Sequence, residues 1–137
     1  MIFKTNYVIP DSSVWIDFTK NRKTKEVDIL LNLMKDKKKI GLNSIIYMEL
    51  LRGCKTEKDV EKTKLFLSEF KMFIPTHKTY LTAVQVYKTC RKSGHTIKSI
   101  DCLIASFCID NNFELLYKDK HFDFIAMDTG RLKTLTG

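Results

Sequence analysis

The sequence predicts an α/β fold built on a central parallel sheet. Two observations carry this. Short apolar runs at 7–10, 40–42, 72–74 and 114–117 alternate with amphipathic stretches at helical spacing, the signature of strand–helix alternation. The chain has 137 residues, 44% of them hydrophobic, which suits one domain with a sizeable core.

Each element has a local reason. Tyr7, Val8, Ile9 and Pro10 read as a short buried strand ending at Asp11. Ser12 or Ser13 caps the helix that follows, with Asp17 in its early turns. Val27, Leu30, Leu31 and Met34 recur at helical spacing and give a helix over 24–37. A strand at 40–42 leads to Asn43 or Ser44 as the cap of a helix that stops at Gly53. Another helix covers 58–71, with Leu65 on its core face, before a strand at 72–74 ended by Pro75. A long helix over 76–93 places Leu81, Val84 and Tyr87 on one stripe. Ser99 caps the next helix, whose Ile100, Leu103, Ile104, Phe107 and Cys108 form an i, i+3, i+4 progression. A strand at 114–117 follows. Beyond Lys118 come a turn, a short helical piece over 122–125 and a tail without a clear pattern.

Composition narrows the function classes. Lys and Arg number 24 against 16 Asp and Glu, a net charge of +8. Such an excess favours phosphate-rich partners, although a soluble Lys-rich surface has the same composition. No apolar run approaches the roughly 20 residues that span a bilayer, and residues 1–6 show no secretory core, so a cytoplasmic location is expected. Cys54, Cys90, Cys102 and Cys108 fit no zinc spacing; Cys102 and Cys108 fall in an apolar helical pattern as buried free thiols.

Four acids stand beside core-forming segments. Asp11 ends the first strand, Glu49 lies within the apolar stretch 45–51, Asp101 opens the apolar segment 102–105, and Asp119 follows the run 115–117. Carboxylates in such places are costly unless paired with cations or metal. In a parallel sheet, ligands bind beyond the carboxyl ends of the strands, where these four can converge. Hard oxygen donors suit Mg²⁺, with Mn²⁺ as a substitute. One such ion, or two about 3.5–4 Å apart, assists in-line displacement at a phosphodiester. Metal-assisted phosphodiester hydrolysis is the reaction class these residues indicate.

The segments around the acids resemble the motifs of a known family. Asp11-Ser12-Ser13 resembles the D-x-S motif of the PIN-domain ribonucleases, and Glu49-Leu50-Leu51-Arg52-Gly53 its E-x-x-x-G segment. Ser99 to Ala105 resembles the third motif, with Asp101 ahead of an apolar helix, and Asp119-Lys120-His121-Phe122 resembles the last, often D-x-D-F. The match runs from about residue 6 to 127, so one PIN domain over 1–137 is expected. The resemblance implies a three-layer Rossmann-like fold and a Mg²⁺-dependent endoribonuclease with Asp11, Glu49, Asp101 and Asp119 as metal and catalytic residues. Length and layout are similar to the toxins of type II toxin–antitoxin pairs, the VapC class. That implies a homodimer, a cognate antitoxin partner and a tRNA or rRNA substrate whose cleavage inhibits translation.

His121 departs from the family pattern, where a second Asp is common. It either hydrogen-bonds a metal water or phosphate, or packs at the helix start, the reading slightly favoured. Ser13 is read as orienting a carboxylate or touching phosphate, and Arg52 as positioning the acids or pairing with Glu49 three residues away. Asp17 reads as a surface acid. Lys118, Lys120 and Arg22 are candidate phosphate contacts. Two other functions stay open: a catalytically silent RNA-binding module, and a DNA-directed flap-type nuclease, which is ordinarily larger.

Overall fold

The computed structural model describes residues 6–135. Among them five short strands, β1 (Val8–Pro10), β2 (Gly41–Asn43), β3 (Lys71–Phe73), β4 (Glu114–Leu116) and β5 (Lys133–Leu135), alternate with helices. The helices are α1 (Ser12–Thr19), α2 (Lys25–Leu33), α3 (Ser44–Arg52), α4 (Glu57–Leu67), α5 (His77–Lys92), α6 (Ser99–Asn111) and α7 (Lys120–Thr129), with a 3₁₀ segment at Met34–Lys39. The reading of the first five residues falls outside the described chain.

All strand pairs are parallel: β1 with β4, β4 with β5, and β2 with β3. A bridge between Val8 and Ile40 joins the two ribbons, so the strands run β3-β2-β1-β4-β5. The chain steps outward from β1 to β3, then returns to the other side of β1. That reversal opens a crevice beyond the carboxyl ends of β1 and β4.

Every residue of β1 and β2 is buried, as expected when helices cover both faces of a parallel sheet. Helices α1 to α4 pack as one group and α5 to α7 as another, giving three layers. Under the first group, Trp15 meets Phe18, Phe66 and Phe70 with ring centroids 6.4, 5.9 and 5.2 Å away, edge or tilted contacts that aromatic cores favour. Gly41 is required for strand approach: a Cβ there would lie 2.8 Å from Ile9 Cδ1 and 3.1 Å from the Phe73 ring.

Several sequence expectations shift. Asp11, not Ser12 or Ser13, is the N-cap of α1, and Lys98 occupies that position for α6, ahead of Ser99. The α2 helix ends at Leu33 and tightens into 3₁₀ geometry. Lys71 pairs with Gly41 in the sheet instead of closing α4. The large apolar residues mislead twice. Leu65 is 75% exposed, and α5 turns Leu81 and Val84 to the surface while burying Thr79, Thr82, Ala83, Val86 and Cys90. Close packing of α5 on α6 selects that face of small residues, and Thr82 Oγ1 donates to Asp110 Oδ1 at 3.0 Å. The short helical piece expected at 122–125 is the middle of α7, stopped at Gly130 with φ +64, and the tail without a pattern forms β5. His95, at the far end of α5, is tied to Asp128 of α7 at 2.7 Å and stacks on Phe124, a structural clamp away from the acids.

Candidate active site

The four acids reach one end of the sheet from four elements. Asp11 leaves β1 with its backbone N–H donating to Leu116 O at 2.8 Å, which ties it to the end of β4. Its carboxylate accepts the Ser13 hydroxyl at 2.9 Å and is 5% exposed. Asn43 ends β2 and accepts the Ile46 N–H at 2.9 Å, which starts α3 and carries Glu49 inward. Asp101 sits in the first turn of α6, where the helix dipole favours an anion. Asp119 caps α7 by accepting the His121 N–H at 3.0 Å, and Tyr117 donates to Asp123 at 2.5 Å, fixing β4 against that helix.

Electrostatics show the clustering. Burial pushes the Asp11 carboxyl up to about 6, and the charges of Glu49 and Asp101 add to the rise against its Ser13 bond. Asp101 is raised first by burial and then by Asp119, with Glu49 adding, and His121 and Lys98 oppose. Four carboxylates in one field repel each other and any phosphate unless a cation joins them. Among the described buried side-chain atoms without hydrogen-bond partners, two belong to this cluster, Glu49 Oε1 and His121 Nδ1. Such orphans are rare in folded proteins. Carboxylate oxygens beside an imidazole are donors that a divalent cation accepts, so the residues present fit a metal. Among the described residues, Asp101, Asp119 and His121 bring ligand atoms within 4.8 Å of one another.

The raised Asp11 fixes a pH dependence. Its folded-state pKa lies above the ordinary 3.8, so the folded form holds the proton more tightly and stability falls as pH rises from about 4 through 6. The full shift corresponds to about 3 kcal/mol. In metal-free protein, denaturant melts are expected to show this loss, to which Asp101, raised in the same direction, adds, and Asp11→Asn is expected to reduce the slope. An equal slope in the variant would refute the assignment. Asp17, whose pKa is lowered, contributes only below this window.

Asp17 corrects the surface reading: its side chain is 2% exposed and bonded by Arg22 at 3.0 Å. The Lys118 ammonium sits against its other oxygen as a charge contact, not an aligned hydrogen bond. These cations hold its carboxyl below the usual range, Lys118 foremost. Lys118 and Arg22 are therefore engaged with Asp17 instead of lying free for phosphate. The carboxylate on α1 thereby anchors the residue preceding Asp119, a link hidden by sequence separation. Arg52 lies exposed at the end of α3, and among the described ion pairs none joins it to Glu49. Desolvation pushes the buried thiols of Cys90 and Cys102 up to about 11, which disfavours the reactive thiolate at neutral pH.

Residues 8–127 match the family model of the PIN domain. The chain belongs to the PIN domain family. The comparison with curated proteins finds no match. Among solved structures, this PIN domain is similar to a chain of VapBC2 from Rickettsia felis bound to a DNA fragment of its promoter. The two are 21% identical with a TM-score of 0.76, covering 95% of this chain and 98% of that one. VapBC-1 from nontypeable Haemophilus influenzae gives 21% identity and a TM-score of 0.76, with coverage of 95% and 97%. FitAcB from Neisseria gonorrhoeae gives 16% identity and a TM-score of 0.72, with coverage of 93% and 96%. At these identities the likeness establishes the fold. No helix among the described residues of the PIN domain is long and apolar enough to cross a membrane.

Proposed function

We propose that this PIN domain, spanning the whole chain, is a divalent-metal-dependent endoribonuclease of the VapC toxin type. The convergence of Asp11, Glu49, Asp101 and Asp119 carries the reading. A bound divalent cation supplies Lewis-acid activation and charge neutralisation at the phosphodiester. Asp101, Asp119 and Glu49 would hold it at the crevice, with Mg²⁺ or Mn²⁺ matching the oxygen donors. Asp11 faces the same field, and Ser13 holds its carboxylate in one orientation. A cation held there would favour the charged form of these carboxylates, so metal would compete with protons for the site. The net charge of +8 supports a polyanionic substrate, and tRNA or rRNA is the class proposed, with arrest of translation the consequence.

A further similar structure is that of a toxin–antitoxin complex, which supports an antitoxin partner here. A groove of about 250 Å³ between α1, α3 and α4, lined by Trp15, Ile16, Leu50, Cys54 and Phe66, lies on the helices that carry Ser13 and Glu49 and suits an apolar antitoxin segment. The exposed Ile74, Tyr80, Leu81 and Val84 support a homodimer, since large apolar patches mark association surfaces.

Digestion of structured RNA and branched DNA in parallel tests the nuclease reading. Defined cuts in RNA alone are expected. Cuts confined to branched DNA would favour a flap-type enzyme, and RNA bound intact at saturating Mg²⁺ would favour the silent module.

A further inference from the structure

His121 stands in the acidic cluster in a position that its helix-capping role does not explain. Its backbone N–H already satisfies the Asp119 cap, yet its ring enters the cluster. Nδ1 lies 3.2 Å from Asp119 Oδ1 and 3.7 Å from Asp101 Oδ2. It is buried and aligned for a hydrogen bond with neither. An imidazolium serving as a simple counterion would aim its N–H at one oxygen. Adjacent ligands of an octahedral ion with bonds near 2.1 Å stand about 3 Å apart, and opposed ones about 4.2 Å. The three residues bring donor atoms within 4.8 Å of one another, close enough to converge on one ion with small side-chain adjustments.

Resting on the metal-centre reading above, we propose that His121 Nδ1 is a direct ligand of the cation held by Asp101 and Asp119. The imidazole biases the site toward Mn²⁺ over Mg²⁺. The reason is donor softness. Mg²⁺ takes oxygen almost exclusively and gives up water reluctantly, whereas imidazole nitrogen stabilises first-row transition ions. Neutral His121 also lowers the negative charge that an acid there would add, which removes part of the purely electrostatic attraction on which Mg²⁺ depends. The His121 side chain is 40% exposed although its Nδ1 is buried.

The test is pulsed electron paramagnetic resonance of Mn²⁺ bound to the full chain, with affinities from Mn²⁺ titration. A directly coordinated imidazole gives ¹⁴N modulation of the Mn²⁺ echo. The wild-type protein is expected to show it, His121→Ala to lose it and to bind Mn²⁺ about tenfold more weakly. His121→Asp is expected to lose the modulation while binding Mg²⁺ more tightly than the wild type. Mn²⁺ bound with no ¹⁴N signal in the wild type, or with an unchanged signal in His121→Ala, overturns the ligand proposal and leaves the carboxylate centre intact. Failure of Mn²⁺ to bind at all overturns both.

Discussion

Asp101→Asn is expected to lower the single-turnover rate of RNA cleavage on the order of 10²–10³-fold, comparable to removing one preorganised charge-stabilising group from an active site. The protein is expected to remain folded and, without metal, at least as stable as the wild type. Both halves follow from the same geometry. Asp101 opens α6 with its side chain 18% exposed, and burial and neighbouring carboxylates disfavour its charge. Neutralising it relieves that strain while removing a metal ligand. Urea melts in EDTA beside cleavage assays separate the two effects. A variant that loses activity together with its fold would make Asp101 structural.

Asp17→Ala acts in the opposite way. Removing one member of a buried charge group leaves its partners unsatisfied, commonly 3–5 kcal/mol for a fully buried pair. Arg22 and Lys118 are 55% and 38% exposed and can partly rehydrate, so a loss of about 2–3 kcal/mol is expected. Chemical denaturation measures it. Lys118 adjoins Asp119, so weaker metal binding should accompany the instability. Asp17→Asn, which keeps the shape and can still accept from Arg22, should fall between. A change below about 0.5 kcal/mol, the ordinary range for surface substitutions, would contradict the clamp.

The acids were legible because each breaks or borders an apolar run, where a charge needs a reason. The parallel fold was legible from three- and four-residue runs between helical stretches. Asp17 was not, because its decisive partner Lys118 enters from across the fold and nothing within its own helix marks it as buried. The α5 face was misread because Leu81 and Val84 share helical spacing with a true core stripe. The packing instead chose Ala83, Thr79 and Thr82, whose small side chains let α6 approach. Caps moved by one residue because Asp11 both ends the strand and accepts the Ser13 N–H, so one residue serves the sheet, the helix and the site. For His121 the sequence leaves two roles open, packing at the helix start, slightly favoured, and contact with a metal water or phosphate; its ring lies beside Asp101 and Asp119.

If these carboxylates hold a divalent cation for phosphodiester cleavage, the purified wild-type protein should cut one defined RNA only when the ion is present. The measurement compares cleavage in EDTA with cleavage after repletion with Mg²⁺ or Mn²⁺, with Asp101→Asn alongside. No cleavage is expected in EDTA, with recovery on repletion in the wild type and none in the variant. Cleavage that persists in EDTA, or proceeds undiminished in Asp101→Asn, would contradict the metal-centre reading.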